Sequence, residues 1–183
     1  MQKEKTPKKS FFTTRKLVMP EHINPNGSLF GGVLMSWIDM VAYMSAQRHS
    51  ERTHVVTVNI DTIEFKKAIK NGDHVVLTSR VEYVGNTSME IKVDVEREDH
   101  FENERYLAAN ATLTFVALDE YHRPCTVPKL KLETLEDCKH YLEACVRIKV
   151  RKKLKNWFEK NAMRLMQKSE ALLVRIHLSS KAL

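Results

Sequence analysis

Apolar and polar residues alternate strictly between Met89 and Glu96: Met89, Ile91, Val93 and Val95 against Glu90, Lys92, Asp94 and Glu96. The stretch YLAANATLTFVALD repeats the signal, with Leu107, Ala109, Ala111, Leu113, Phe115 and Ala117 in alternate places. A period of two predicts antiparallel strands with one dry and one wet face. HVVTVNIDTIEF and VVLTSRVEYV are rich in β-branched residues and predict two more strands, punctuated by the turn signals NGD and GNTS. Phe11 to Met19 predicts a short first strand, and HINPNGS, with Pro25 and Gly27, a loop. From Gly31 to His49 the period changes. Val33, Trp37, Met40, Val41 and Met44 fall at helical spacing, while Leu34, Ile38 and Ala42 fill another side. A helix apolar nearly all round is expected to be enclosed. The pattern over residues 11–130 thus predicts an α+β domain, an antiparallel sheet wrapped around one long central helix.

Beyond Pro128 the strands stop. Leu154, Trp157, Phe158, Ala162, Leu165, Leu172, Leu173 and Ile176 approximate one stripe with basic residues between them, predicting one or two amphipathic helices in a C-terminal basic helical extension, 131–183. Residues 1–10, MQKEKTPKKS, read as a flexible basic tail. No internal repeat is visible.

Charge sharpens this division. The 183-residue chain carries a formal net charge of +7. From Arg147 onward eleven basic residues stand against Glu159 and Glu170 alone; that +9 leaves the preceding part slightly acidic, at −2. A whole-chain reading of the charge would therefore point wrongly to nucleic-acid binding by the main body. Cys125, Cys138 and Cys145 have no zinc-type spacing and read as free thiols of a reducing cytoplasm. The histidines form no HExxH-like cluster, so no metal is expected. No uncharged run approaches the roughly 18 residues that span a bilayer, and no apolar segment follows the basic start, so a signal peptide is not expected.

The candidate chemistry begins with Asp39, an acid inside the apolar helix. Removing a carboxylate from water costs several kcal/mol unless it is paired or hydrogen-bonded, so Asp39 is either half of a structural ion pair or a working group. Gly31 and Gly32 stand where loop becomes helix; free backbone N–H groups and the helix dipole there suit a polarised carbonyl or developing oxyanion, and Gly-Gly lets a substrate approach closely. The same pair also makes an ordinary tight turn. Asn24 in INPNGS reads as a turn or cap residue, GNTS as a hairpin, and Lys66 and Lys67 as solvated strand-end lysines. Each has a ligand-binding alternative, and none decides alone.

Their order along the chain carries more. Asn24-x-x-Gly27-x-x-Phe30-Gly31-Gly32 followed by Met35-x-x-x-Asp39 resembles the opening of the cytosolic acyl-CoA hydrolase family of hotdog-fold thioesterases. The resemblance continues through VVTVNIDTIEFKKAIKNGDHV, VGNTSMEIKV and ATLTFVALDEYHRPCTVP, covering roughly residues 12 to 130. It implies a hotdog fold, pairing into a double-hotdog homodimer and often a hexamer, and active sites at the dimer interface. It implies a catalytic role for Asp39, with Asn24 as partner and Gly32 at the thioester carbonyl. Phe30 and Gly31 would adjoin the substrate, and Gly85, Asn86, Thr87 and Ser88 would contact coenzyme A. Lys66, Lys67 or tail residues would bind its phosphates, although Lys67-Ala68 stands where the family commonly has a basic residue followed by proline. No cofactor is implied beyond the coenzyme A of the substrate. The basic extension lies outside the resemblance; it would cover the acyl channel, support an oligomer or touch an anionic membrane surface.

Three rivals differ in what they require. A non-catalytic acyl-CoA sensor on the same fold needs no polar pair at the thioester carbon, whereas Asn24 and Asp39 are both present. A hotdog dehydratase wants a histidine near the helix start, for which only His22 and His49 are candidates. Nucleic-acid binding through the tail wants aromatics among the charges, and Trp157 and Phe158 fit the apolar stripe instead.

Overall fold

Helix α2, Gly31–Ser50, is laid across one face of a five-stranded antiparallel sheet. The computed structural model describes residues 3–99 and 104–179, and their side chains apart from 99, 104, 163, 165, 167, 168 and 170–179. In chain order the elements are β1 (Glu4–Lys5), α1 (Pro7–Ser10), β2 (Phe12–Leu17), α2, β3 (His54–Phe65), β4 (His74–Val84), β5 (Ser88–Asp99), β6 (Glu104–Leu118), β7 (Lys129–Leu130) and α3 (Leu135–Ser179). The sheet order is β2-β4-β5-β6-β3, with all neighbours antiparallel. This is the α+β arrangement expected from the alternation of residues, and the hotdog fold that the resemblance implied. Met89, Ile91, Val93 and Val95 have no exposed surface, nor have Ala109, Ala111, Leu113, Phe115 and Ala117. Their dry face meets Leu34, Trp37, Ile38, Val41, Ala42 and Ala46 of α2.

Two expectations need correction. Leu107, placed in the alternating row, is 38% exposed, because the β5–β6 register shifts between Val95 and Glu96 and turns it out of phase. The extra residue of that bulge, Ala108, is buried, and its carbonyl accepts the N–H groups of both Lys66 and Lys67, at 2.8 and 3.1 Å. The helix, expected to be enclosed, is covered on one side only. Trp37 and Ile38 are buried, but Phe30, Met35 and Met40 are 55, 41 and 55% exposed and Asp39 is half-buried. Apolarity on all sides of a helix says that both faces will be covered, not that one chain does the covering.

The far end of α2 is closed by residues 4–10, which form β1 and α1 where a loose tail was expected over residues 1–10. β1 pairs in parallel with β7. Lys5 Nζ donates to the Arg48 carbonyl and to Glu51 Oε1, so a cation meets the helix C-terminus where the dipole favours one. Buried Ser10 accepts from Ser45 Oγ, which lies 2.6 Å from Ser79 Oγ.

The chain divides into two units, residues 1–141 and 142–183. Helix α3 opens with a capping box in which Thr134 Oγ1 accepts from Asp137 N, and Asp137 Oδ2 accepts from Thr134 N. It is one continuous helix, where the residue pattern allowed one or two. Of its expected stripe, the side chains of Leu165, Leu172, Leu173 and Ile176 lie outside the described residues.

His49 connects this packing to pH. It is fully buried, its Nε2 lies 3.0 Å from the Pro128 carbonyl, and its Nδ1 has no hydrogen-bond partner. Burial holds its pKa below the usual 6.5, Lys5 pushes the same way, and the Pro128 hydrogen bond and Glu51 oppose them. The unfolded chain therefore takes up the proton first. The stability His49 contributes is complete above about pH 6.5 and is lost as pH falls below it. Thermal melts from about pH 7.5 to 5.5 should show a declining midpoint, and His49→Gln should flatten the decline while lowering the midpoint at the upper pH. Parallel slopes in the two proteins would assign the pH dependence to other groups.

Candidate active site at the start of the central helix

The first intrahelical bond of α2 runs from Leu34 N to Phe30 O at 3.1 Å, so the N–H groups of Gly31, Gly32 and Val33 precede any helical acceptor. Phe30, the N-cap, supplies no side-chain cap, and the first turn contains no acid. The positive end of a 20-residue helix thus receives no anion from its own cap or first turn. The preceding loop is held by Leu29 N to Ile69 O, 2.7 Å, and Phe30 N to His22 O, 2.8 Å.

The two glycines are not equivalent. A Cβ on Gly32 would lie 2.6 Å from Cε1 of Phe30, whose ring folds over that position. A Cβ on Gly31 would meet only Phe65, at an ordinary 3.7 Å. Gly31 faces a cleft of about 340 Å³ lined also by Ser28, Leu34, Phe65, Lys66 and Lys67. Lys67 Nζ sits 4.4 Å from the centroid of Tyr106, and Lys66 Nζ pairs with Glu64 at 3.4 Å. Hydrogen bonds from Asn110, and then Lys66, hold the Glu64 carboxyl below its ordinary range.

Asn24 organises its own loop. Its Oδ1 accepts from Asn26 N at 2.9 Å and Ser28 N at 3.3 Å, and its Nδ2 donates to Ser28 Oγ at 3.1 Å. This is the turn role that its residue type favours, and it leaves the amide side of Asn24 as the one that donates.

Asp39 follows Gly32 by seven residues, two turns on the same face, about 10 Å along the axis. Its Oδ1 accepts the hydroxyl of Thr57 at 2.7 Å. Thr57, on β3, was not among the residues singled out from sequence. Strand alternation offered the clue, since Thr57 is two residues from buried Val55 and so faces the helix.

The turn Gly85–Ser88 stands apart. Gly85 N bonds Ser88 O at 2.8 Å, and the carbonyls of Gly85, Asn86 and Thr87 accept from Lys129 Nζ, Val127 N and Ala117 N. A Cβ at Gly85 would lie 2.7 Å from Ser88 Oγ. Register carries Thr57 to Phe115, Phe115 to Met89 and Met89 to Val84, so the turn is at the same end of the sheet as Thr57. Two to three strand spacings separate them, on the order of 10–15 Å. One chain therefore gathers Gly31 and Lys67 about the cleft, folds Phe30 over Gly32 beside it, places Asp39 with Thr57 two turns away, and holds Gly85–Ser88 separately. His22 and His49 do not join these groups. His22 Nδ1 accepts from Met19 N and its ring meets the edge of Trp37, while His49 is at the opposite end of α2. Among the described residues no three His, Cys, Asp or Glu side chains cluster as metal ligands.

Residues 26–102 match the thioesterase superfamily. An uncharacterized acyl-CoA thioester hydrolase of Bacillus subtilis is 44% identical over 138 residues, 75% of this chain and 80% of that protein. The acyl-CoA hydrolase of Staphylococcus aureus, solved with butyryl coenzyme A, coenzyme A and coenzyme A disulfide, superposes with a TM-score of 0.80 at 34% identity, covering 88% of this chain and 98% of that one. A hexameric acyl-CoA thioesterase superposes equally well, with a TM-score of 0.80 at 34% identity over 85% of this chain and 98% of its own. By sequence and fold alike, the chain belongs to the hotdog-fold acyl-CoA thioester hydrolases of the thioesterase superfamily.

Proposed function

We propose that this chain hydrolyses the thioester of fatty acyl-CoA to fatty acid and coenzyme A, in the cytoplasm, without a metal or cofactor, and at a site shared between two copies. The observation that carries the reading is the pair formed by an open helix start and an acid held on the open face of the same helix. An amide N–H at Gly32 must lie about 3 Å from the carbonyl oxygen it polarises. Asp39, about 10 Å further along the helix, cannot also reach that carbon from the same chain. A second copy packed across the exposed face of α2 supplies the missing partner, with Gly32 of one chain facing Asp39 of the other. The edge strand β3 favours such pairing, because it exposes Val56, Val58, Ile60 and Phe65 beside an unpaired backbone edge. The hexameric relative shows that this fold can assemble.

In this arrangement the Gly32 amide and the helix dipole stabilise the oxyanion. Asp39, oriented by Thr57, removes the proton of an attacking water, or attacks the carbonyl itself to form an anhydride that water then opens. Either way the tetrahedral carbon expels coenzyme A as a thiolate, a leaving group that needs no strong acid. Asn24 presents its amide N–H to the water or the carbonyl. Lys67 and the Gly85–Ser88 turn hold the coenzyme, with Lys67 as a point charge for phosphate.

Thiol release from short-, medium- and long-chain acyl-CoAs should persist in EDTA and fall at least about 100-fold in Asp39→Ala. Acyl-CoA binding without thiol release at any chain length would support the sensor reading instead. Thr57→Val should lower kcat on the order of 10–100-fold, with Thr57→Ser recovering most of it. Gly31→Ala should keep the fold, since its Cβ would meet only Phe65 at 3.7 Å. Gly32→Ala should fold, since the exposed Phe30 ring can swing aside, yet lose turnover as that ring moves at the helix start. Asp39→Ala and Gly32→Ala chains, each inactive alone, should complement when co-expressed, regaining about a quarter of wild-type sites through mixed dimers. No recovery in verified mixed dimers would place both groups of each site on one chain.

A further inference from the structure

The chemistry above uses nothing from the second unit, residues 142–183. Along it Leu142, Val146, Val150 and Leu154 follow at steps of four residues, and Trp157 and Phe158 lie three and four beyond Leu154, a helical stretch about 24 Å long. Each is between 51 and 62% exposed. The rings of Trp157 and Phe158 meet edge to face, 5.2 Å between centroids. Around this stripe Lys149, Lys152, Lys153, Lys155, Lys160 and Arg164 are exposed. From Leu142 to Arg164 the acids are Glu143, at the start, and Glu159, 3.9 Å from Lys155.

The geometry points to a peripheral membrane contact: we propose that the helix from Leu142 to Arg164 lies on the anionic surface of a lipid bilayer. An apolar strip ending in two aromatic rings fits the boundary between headgroups and acyl chains. Lysines on long stems reach from beside it to lipid phosphates. No helix among the described residues is long and apolar enough to cross a bilayer, so this one lies along it. Pairing with the same stripe of a second copy would bring the lysine-rich flanks together with hardly an acid to offset them. Such a contact needs nothing from the site around Asp39.

The test uses the full chain with sedimented vesicles, either neutral phosphatidylcholine or phosphatidylcholine containing phosphatidylglycerol. Binding to the anionic vesicles should be at least about 10-fold tighter and should weaken with salt. Lys152→Glu with Lys153→Glu, and separately Trp157→Ser with Phe158→Ser, should each reduce it at least about 10-fold, with turnover of a short, soluble acyl-CoA unchanged. Equal binding to both vesicles, or none to either, would overturn the proposal. So would variants that alter the oligomer's size by light scattering while vesicle binding persists, which would assign this face to a second copy.

Discussion

Everything in this protein turns on the fact that a five-stranded sheet can cover only one side of a helix. The dry face of β4, β5 and β6 buries Ile38, Ala42 and Ala46 completely. Met35 and Met40 are left exposed on the other side, with half-buried Asp39 at the border, where Thr57 of the edge strand reaches it. Apolar surface of that kind is removed from water by association. The edge strand β3 borders it with more apolar surface and an unpaired backbone. The Thr57–Asp39 hydrogen bond ties the helix to that strand, so whatever docks on the edge also bears on the acid.

The two ends of α2 are treated in opposite ways. At its C-terminus Glu51 turns left-handed with φ 55°, Lys5 meets the Arg48 carbonyl, and the buried Ser45 hydroxyl, beside that of Ser79, donates to the Ser10 carbonyl and so pins the N-terminal segment beneath. Buried polar contacts gather there, including that of His49 with the Pro128 carbonyl. At its N-terminus the chain provides neither a capping side chain nor a first-turn acid. A helix end with donors left over and a cleft beside it has the physical features that an oxygen-bearing ligand would use under the proposed function. The bulge at Ala108 serves the same end, because its carbonyl fixes the backbone of Lys66 and Lys67 at the cleft.

Most of the fold was legible in the residues themselves. The alternation in β5 and β6, the β-branched run of β3 and the change of period at Gly31 are local signals, and each element formed where its pattern lay. The misreadings arose where local rules meet longer-range ones. Leu107 obeyed the period of two until a one-residue bulge reversed its face. The N-terminal ten residues looked like a solvated tail because their partners, β7 and the end of α2, are far away in sequence.

Of the candidate site, residue types and spacing singled out Asp39, Gly31 and Gly32 but left a structural role open for each, and only the order of motifs along the chain, through the family resemblance, favoured the catalytic reading. Only the tertiary structure brought in Thr57, whose hydroxyl reaches Asp39 across eighteen positions of chain. Only it, likewise, bound Asn24 into its own loop and separated Gly85–Ser88 from the helix start. The sequence determined which surfaces must leave water, because hydrophobic patterning is local and periodic. Which surface covers which was decided by sheet order and register, because those depend on contacts between strands that the chain's own order does not place side by side.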